Sequence, residues 1–491
     1  MGAPDALSFL DPIRWQGRVY SPAWAHAHGG MRDVVEPATG ATLASVGVAN
    51  PADIAAACQG AAVAQGPWAA MPPRDRAAIL RRAGDLFAQH FDELALFIAR
   101  ETGGILPKAQ HEVREATVQC HLAAGLVMQP QGLTLPTVPG RLNLARRVPH
   151  GVVGVISPFN FPLILSLRAV APALAAGNAV VLKPDPQTPV SGGFIIARVF
   201  QEAGLPPGVL HVLPGGPAAG EALVTDPRVR MIQFTGSTAV GRRIGELCGK
   251  HLKKVSLELG GKSSLIVLDD ADLDRAASNV AWGAWLHQGQ ICMASGRVLV
   301  HEKIAPALIE RLVQKALHMP VGDPSSGQVA LGPMINAKQV ERAHTIVQDS
   351  VRAGARLEAG GTSEGLFFKP TVLSRVTPRM RAFDEEVFAP VVCLTTFSSD
   401  EEAVQLANDT EYGLAAGVIS PSISRAMAIG ERLKVGMLHI NDQTINDDCT
   451  NPFGGMGCSG NGSRVGGPAD LDEYSQWQWL TVKGEAPQYP F

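Results

Sequence analysis

From residue 149 onward the chain alternates between short, β-rich apolar runs and helix-sized amphipathic stretches, and this alternation is the tightest constraint on its fold. GVVGVIS (151–157) reads as a strand and LILSLRAVAPALAAG (163–177) as a helix closed by Gly177. AVVLKP (179–184) is the next strand and SGGFIIARVFQEAG (191–204) the next helix, after which PGVLHVLPG, RMIQFTGS and KVSLELGG continue the series. Strand and helix in regular succession predict an α/β fold around a mainly parallel, doubly wound, Rossmann-like sheet. After Gly261 the rhythm resumes through SSLIVLDDADLDRAASNVAWGAW and RVLVHEKIAPALIERLVQKAL to GMLHIND, which predicts a second α/β domain.

Ahead of the alternation, residues 75–103 read as one helix. Ile79, Ala83, Leu86, Phe87 and Phe91 recur at helical spacing, and Gly103-Gly104 ends the run. Two segments fit neither domain, LTLPTVPGRLNLARRV (133–148) and EYSQWQWLTV (473–482). In the second, Tyr474, Trp477 and Trp479 alternate with polar residues like a strand that needs a partner. We expect both segments to pair with a neighbouring subunit, giving a homodimer or homotetramer, because such an edge would be adhesive on a monomer.

Composition closes off other classes. A formal charge of -3 gives no electrostatic basis for a nucleic-acid or anionic-membrane partner. No apolar run has the length of a bilayer span. The start MGAPDALSFLDP lacks the regions of a signal peptide, and Ala6 spoils a myristoylation match. The seven cysteines (58, 120, 248, 292, 393, 449 and 458) are scattered and never form C-x-x-C. We therefore expect a reduced, cytoplasmic protein with no disulfide framework and no metal.

One G-x-G-x-x-G occurs, in GGMGCSG (454–460), formed by Gly455, Gly457 and Gly460. A dinucleotide turn of this kind must follow a strand directly, and Pro452 breaks any strand here. If the protein holds a dinucleotide, it does so elsewhere. The stretches that carry chemistry are instead QGQICMASGR with Cys292, LELGGKS with Glu258 at a strand end, and SPFNFP with Asn160 in a proline-bounded loop. KPDPQTP (183–189) and FTGS (234–237), with Ser237 at a helix N-cap, complete the set.

Together, in this order, these motifs resemble the aldehyde dehydrogenase superfamily over nearly the whole chain, as do Glu385-Glu-Val-Phe-Ala-Pro390 and Pro452-Phe-Gly-Gly455. The resemblance implies a Cys292 nucleophile that forms a thiohemiacetal and then a thioester. It implies Asn160 as oxyanion donor and Glu258 as base for the hydrolytic water. The cofactor would be NAD, held by Ser157, Pro158, Phe159, Lys183, Pro186, Gly216, Gly220, Phe234, Gly236, Ser237, Leu259, Glu386 and Phe388. Pro186 stands where NAD-specific relatives often carry Glu, which leaves NADP open as a second cofactor. Ala169 stands where some relatives carry lysine near the base, and Gly457 where many carry lysine in the FGG-x-K stretch.

HINDQT, GCSGNG and the tryptophan-rich tail look like those of benzaldehyde and vanillin dehydrogenases. An aromatic aldehyde is the expected substrate, in a slot lined by Phe161, His287, Ile291, Met293 and Phe453. Aliphatic aldehydes or semialdehydes are the alternative within the family. A CoA-acylating enzyme would have little need of Glu258, a cysteine hydrolase no use for FTGS or EEVFAP, and a non-catalytic protein no reason to keep Cys292, Glu258 and Asn160 together. The implied organisation is a dinucleotide-binding domain from 1–128 and 150–258, a catalytic domain over 259–460, and an oligomerisation element from 129–149 and 461–491.

Overall fold

Valine-rich apolar runs become strands when both faces are covered, and Val152–Ile156 is buried at every position. It bonds in parallel to Ala179–Lys183 on one side and to Val229–Thr235 on the other. Leu210–Val212 and Lys254–Glu258 extend the parallel part, and Arg18–Tyr20 with Trp24–His26 adds an antiparallel edge to make a seven-stranded sheet. This computed structural model describes residues 8–491, so the stretch containing Ala6 lies outside the described residues.

From Val152–Ile156 the chain winds outward to Leu210–Val212 and then returns to the opposite side at Val229–Thr235. Such a reversal opens a crevice beyond the carboxyl ends of the strands. Residues 157–160, 184–185, 236–237 and 259–260 emerge there. A second seven-stranded sheet runs in the order Arg356–Ala359, Thr371–Ser374, Val391–Phe397, Arg297–His301, Ser264–Val267, Ala415–Ile419 and Met437–Ile440. Only its first pair is antiparallel. Both sheets are the α/β architecture that the alternation predicts.

The stretch read as one helix over 75–103 is two, Pro73–Gln89 and Phe91–Thr102. They break at His90, whose ring stacks on Phe9 with centroids 4.0 Å apart. Spacing alone does not register a one-residue break, because Phe87 and Phe91 still face the same core.

The two leftover segments correct the expectation made for them. Ser475–Lys483 pairs antiparallel with Arg141–Pro149 of the same chain, from Ser475↔Pro149 to Lys483↔Arg141, and Gly132–Thr134 lies on the far side. The reason is local delivery. Tyr474 is fully buried, and its carbonyl accepts the Asn178 side-chain amide at 2.9 Å, so the tail leaves the first sheet beside 141–149. Trp477 and Trp479 stay 51% and 70% exposed, and Ser475–Lys483 remains the outer strand of its sheet.

Candidate active site

The turn before Cys292 is held in an uncommon conformation. His287, Gln288 and Gly289 have φ of 49°, 57° and 65°, a region that side chains avoid. Gly289 is needed there, since a Cβ would lie 2.2 Å from the Ala389 carbonyl oxygen. The Glu258-Leu-Gly-Gly turn closes on the same place from the first sheet. A Cβ on Gly261 would lie 2.5 Å from the Cys292 carbonyl oxygen, and one on Gly260 would lie 2.5 Å from the Glu386 carboxylate. The two glycines after Glu258 therefore let the cysteine and glutamate motifs touch.

Asn160 is clamped from two sides. Its side-chain amide donates to the Gln290 carbonyl at 2.9 Å, and its own carbonyl accepts from Lys108 Nζ at 2.7 Å. Lys108 is paired at 2.5 Å with Glu112, whose other oxygen accepts the backbone N–H groups of Leu163 and Ile164 at 3.0 and 3.3 Å. Both charges of this pair are buried, and each is matched by hydrogen bonds that a lone buried ion would lack. One N–H of the Asn160 amide remains to face the cavities. The Cys292 backbone N–H donates to no group among the described residues.

Two cavities meet at Cys292, Asn160 and Leu165. The larger, about 460 Å³, lies in the crevice of the first sheet. Of the residues that the resemblance assigns to the cofactor, Ser157, Pro158, Phe159, Lys183, Phe234, Gly236, Ser237, Leu259, Glu386 and Phe388 line it. Pro186, Gly216 and Gly220 are not on its wall. Gly220 packs instead against the Lys183 methylenes, and Gly216 caps the helix Pro217–Thr225. Sequence reasoning missed Asp185, which lines the cavity with Lys183. The family pattern marks the third position after the lysine, Pro186, and gives no signal at the second.

The smaller cavity, about 310 Å³, is mostly apolar and includes Phe161, Ile291, Met293 and Phe453 as expected. His287 is a correction. It is 1% exposed and sits behind Phe161, ring centroids 5.3 Å apart, because its left-handed backbone turns the imidazole toward Gly104 and Lys108. Leu165, Trp282, Leu286 and Ile445 complete the apolar wall, and no motif in the sequence pointed to them.

Electrostatics follow from burial. The Cys292 thiol is pushed up to about 12 by desolvation, with the carboxylates of Glu386 and Glu258 adding to the effect. Burial likewise holds Glu258 well above the ordinary carboxylate range against the pull of Arg464 and Arg168, and raises Glu386 to about 7. Both Glu258 carboxylate oxygens lack a hydrogen-bond partner. The GGMGCSG loop lies against this residue: Gly460 bridges Glu258, and a Cβ on Gly454 would lie 2.9 Å from its Oε1.

A family model described as the aldehyde dehydrogenase family matches residues 24–480. The chain belongs to the aldehyde dehydrogenase family. A vanillin dehydrogenase from Amycolatopsis is 54% identical, covering 99% of this chain and 100% of that protein. A benzaldehyde dehydrogenase [NAD(+)] from Pseudomonas putida is 52% identical, covering 97% and 98%. Among solved structures, the NAD+ complex of an aldehyde dehydrogenase from Bacillus cereus superposes with a TM-score of 0.93 at 36% identity, covering 99% of each chain. As an aldehyde dehydrogenase, the chain has Cys292 and Asn160 where the two cavities join, while Glu258 lies on neither wall, beside Leu165 and Phe453.

Proposed function

We propose that the protein oxidises an aromatic aldehyde of the benzaldehyde type to its carboxylic acid, with NAD as cofactor. The observation that carries this reading is the junction itself: an apolar cavity suited to a flat ring and a crevice of dinucleotide size share Cys292 and Asn160. The likeness to vanillin and benzaldehyde dehydrogenases supports the substrate class.

Cys292 is the nucleophile. Its thiol must lose a proton to act, and Glu258, held above the usual carboxylate range, is the base for the water that later hydrolyses the thioester. As the sulfur adds to the aldehyde carbon, the growing oxyanion meets the free Asn160 amide N–H and the Cys292 backbone N–H. The residues of the larger cavity fit a dinucleotide. Buried Lys183 and half-buried Asp185 stand at one part of the wall, half-buried Glu386 at another, and the helix Thr238–Lys250 starts at Ser237, where its N–H groups suit a pyrophosphate. When bound, NAD supplies the acceptor for the hydride that leaves the tetrahedral carbon. Asp185 supplies the carboxylate that Pro186 lacks, favouring NAD and disfavouring the 2′-phosphate of NADP.

The domain roles follow the sequence boundaries: 1–128 with 150–258 for the dinucleotide, 259–460 for catalysis, and 129–149 with 461–491 for oligomerisation. The unpaired outer edge of Ser475–Lys483 and its two exposed tryptophans suit a second copy, and the setting is the cytoplasm. Among the described residues no helix is long and apolar enough to cross a membrane. A panel of aldehydes with NAD and NADP, followed by absorbance of the reduced nicotinamide, tests the reading. Benzaldehyde is expected to exceed acetaldehyde in kcat/KM, and the reverse order would remove the aromatic assignment. Removal of residues 475–491 is expected to lower the mass seen by light scattering, and an unchanged assembly would refute the edge contact.

A further inference from the structure

Beside Glu258 lies a small chamber of about 10 Å³, lined also by Arg168, Ala169, Gln233, Thr235 and Tyr474 and sharing Leu165 and Phe453 with the substrate cavity. That volume is close to the space one water occupies. Three kinds of group facing it make it more than a packing defect. Glu258 Oε1 and Oε2 have no partner, and neither do Arg168 Nε and Nη1, although all four atoms are buried. Buried donors and acceptors of this strength are rarely left unsatisfied. Ala169 contributes only a methyl group, which leaves the space open.

Arg168 is also built to stay in place. Its Nη2 donates to Asp447 at 2.6 Å, its guanidinium lies 4.9 Å from the centre of the Phe453 ring, and the side chain is 5% exposed. Asp447 in turn lines the substrate cavity. The other cation near the base, Arg464, already donates to the Gly455 and Ser463 carbonyls at 3.1 and 2.8 Å.

We infer that Arg168 is a positioning residue for Glu258, acting through one water in the chamber to orient the carboxylate for thioester hydrolysis. The inference rests on Glu258 being the hydrolytic base. In that step the water oxygen bonds to the thioester carbon and its proton passes to Glu258. The carbon–sulfur bond then breaks with its electron pair on Cys292. Arg168 stays cationic throughout.

The charges facing Glu258 set the sign of the pH effect. Arg464 and Arg168 favour its ionised form; Glu473 and Asp447 oppose it, and buried Tyr474 lies alongside, with half-buried Asp470 acting on Tyr474. Loss of one cation raises the pH at which Glu258 ionises, so the acid limb of hydrolysis moves upward. The test is rapid-mixing kinetics over a pH series on the full-length enzyme with NAD and benzaldehyde. Arg168→Gln is expected to keep the burst of reduced nicotinamide while the slow phase falls about tenfold and its acid limb rises by about one pH unit. Arg168→Lys should restore part of the loss. Ala169→Val fills the chamber without altering charge and should slow the same phase, which keeps the test decisive if Arg168→Gln folds poorly. Glu258→Gln, run alongside, is expected to give a burst followed by a stall. A stall there with an unmoved slow phase in both Arg168→Gln and Ala169→Val overturns this inference alone. Loss of the burst in Arg168→Gln with NAD binding intact also overturns it, because Arg168 would then act before hydrolysis. No stall in Glu258→Gln removes Glu258 as the base and the inference with it.

Discussion

The two cavities that join at Cys292 are built in opposite ways. The larger takes its wall chiefly from strand ends: Ser157, Lys183, Phe234 to Ser237, and Leu259 each follow or close a parallel strand of one sheet. Parallel register places those ends side by side whatever the side chains are, so each short motif carries its own address. The smaller takes its wall from Ile105 to His111, helix Pro162–Ala175, helix Leu273–Trp285 and the loop 443–453, which no single sheet aligns. Reaction machinery thus rests on backbone geometry, and substrate fit on side chains brought together by packing. It follows that mutations on the first wall alter cofactor use, those on the second alter which aldehyde is preferred, and those at the junction alter both.

The largest effect belongs to the junction. Cys292→Ala is expected to lower aldehyde oxidation by roughly ten-thousand-fold or more while leaving NAD affinity within about twofold, because the thiol makes the bond and only borders the crevice. Isothermal titration with NAD beside an activity assay checks this, and substantial turnover would show that the two cavities share something other than the nucleophile.

Next is the apolar wall. Phe161→Ala should lower the benzaldehyde-to-acetaldehyde ratio of kcat/KM by about tenfold, at roughly 25 cal/mol per Å² of lost apolar contact, with the NAD-to-NADP ratio unmoved. A shift in both ratios would mean that the two walls are mechanically coupled.

On the opposite wall, Asp185→Ser should raise the NADP-to-NAD ratio of kcat/KM by several-fold, up to about tenfold, as repulsion of the 2′-phosphate is removed. Pro186→Glu, off the wall, should change the two cofactors alike. If Pro186→Glu rather than Asp185→Ser moves the ratio, position 186 faces the ribose after all. The smallest effect is expected from Ile445→Ala, a few-fold loss for ring substrates only. No loss there would confine ring recognition to Phe161, Ile291, Met293 and Phe453.

The strand–helix alternation, the Gly-Gly after Glu258 and the glycine before Gln290 were legible because each is a local requirement. A period-two or period-3.6 pattern, or a backbone so close to another group that an added Cβ would lie 2.2 to 2.5 Å from it, leaves its mark in a few consecutive residues. The site motifs were legible for the same reason. His287 was misplaced because a left-handed φ at a non-glycine residue has no sequence signature, and it turned the ring away from the substrate wall. Asp185 was missed because its neighbour drew the comparison, and which of two adjacent side chains enters a cavity depends on the loop's path. The tail's pairing with 141–149 joins segments more than 300 positions apart, so alternation revealed that Ser475–Lys483 is a strand but not which strand it meets. The pairing of Arg168 with Asp447 across 279 positions, and the water-sized space it encloses against Glu258, are products of packing alone. Sequence determined the elements and the chemistry because both are written in short-range pattern. Tertiary structure decided the neighbours, because contact between distant segments depends on how whole layers close on one another.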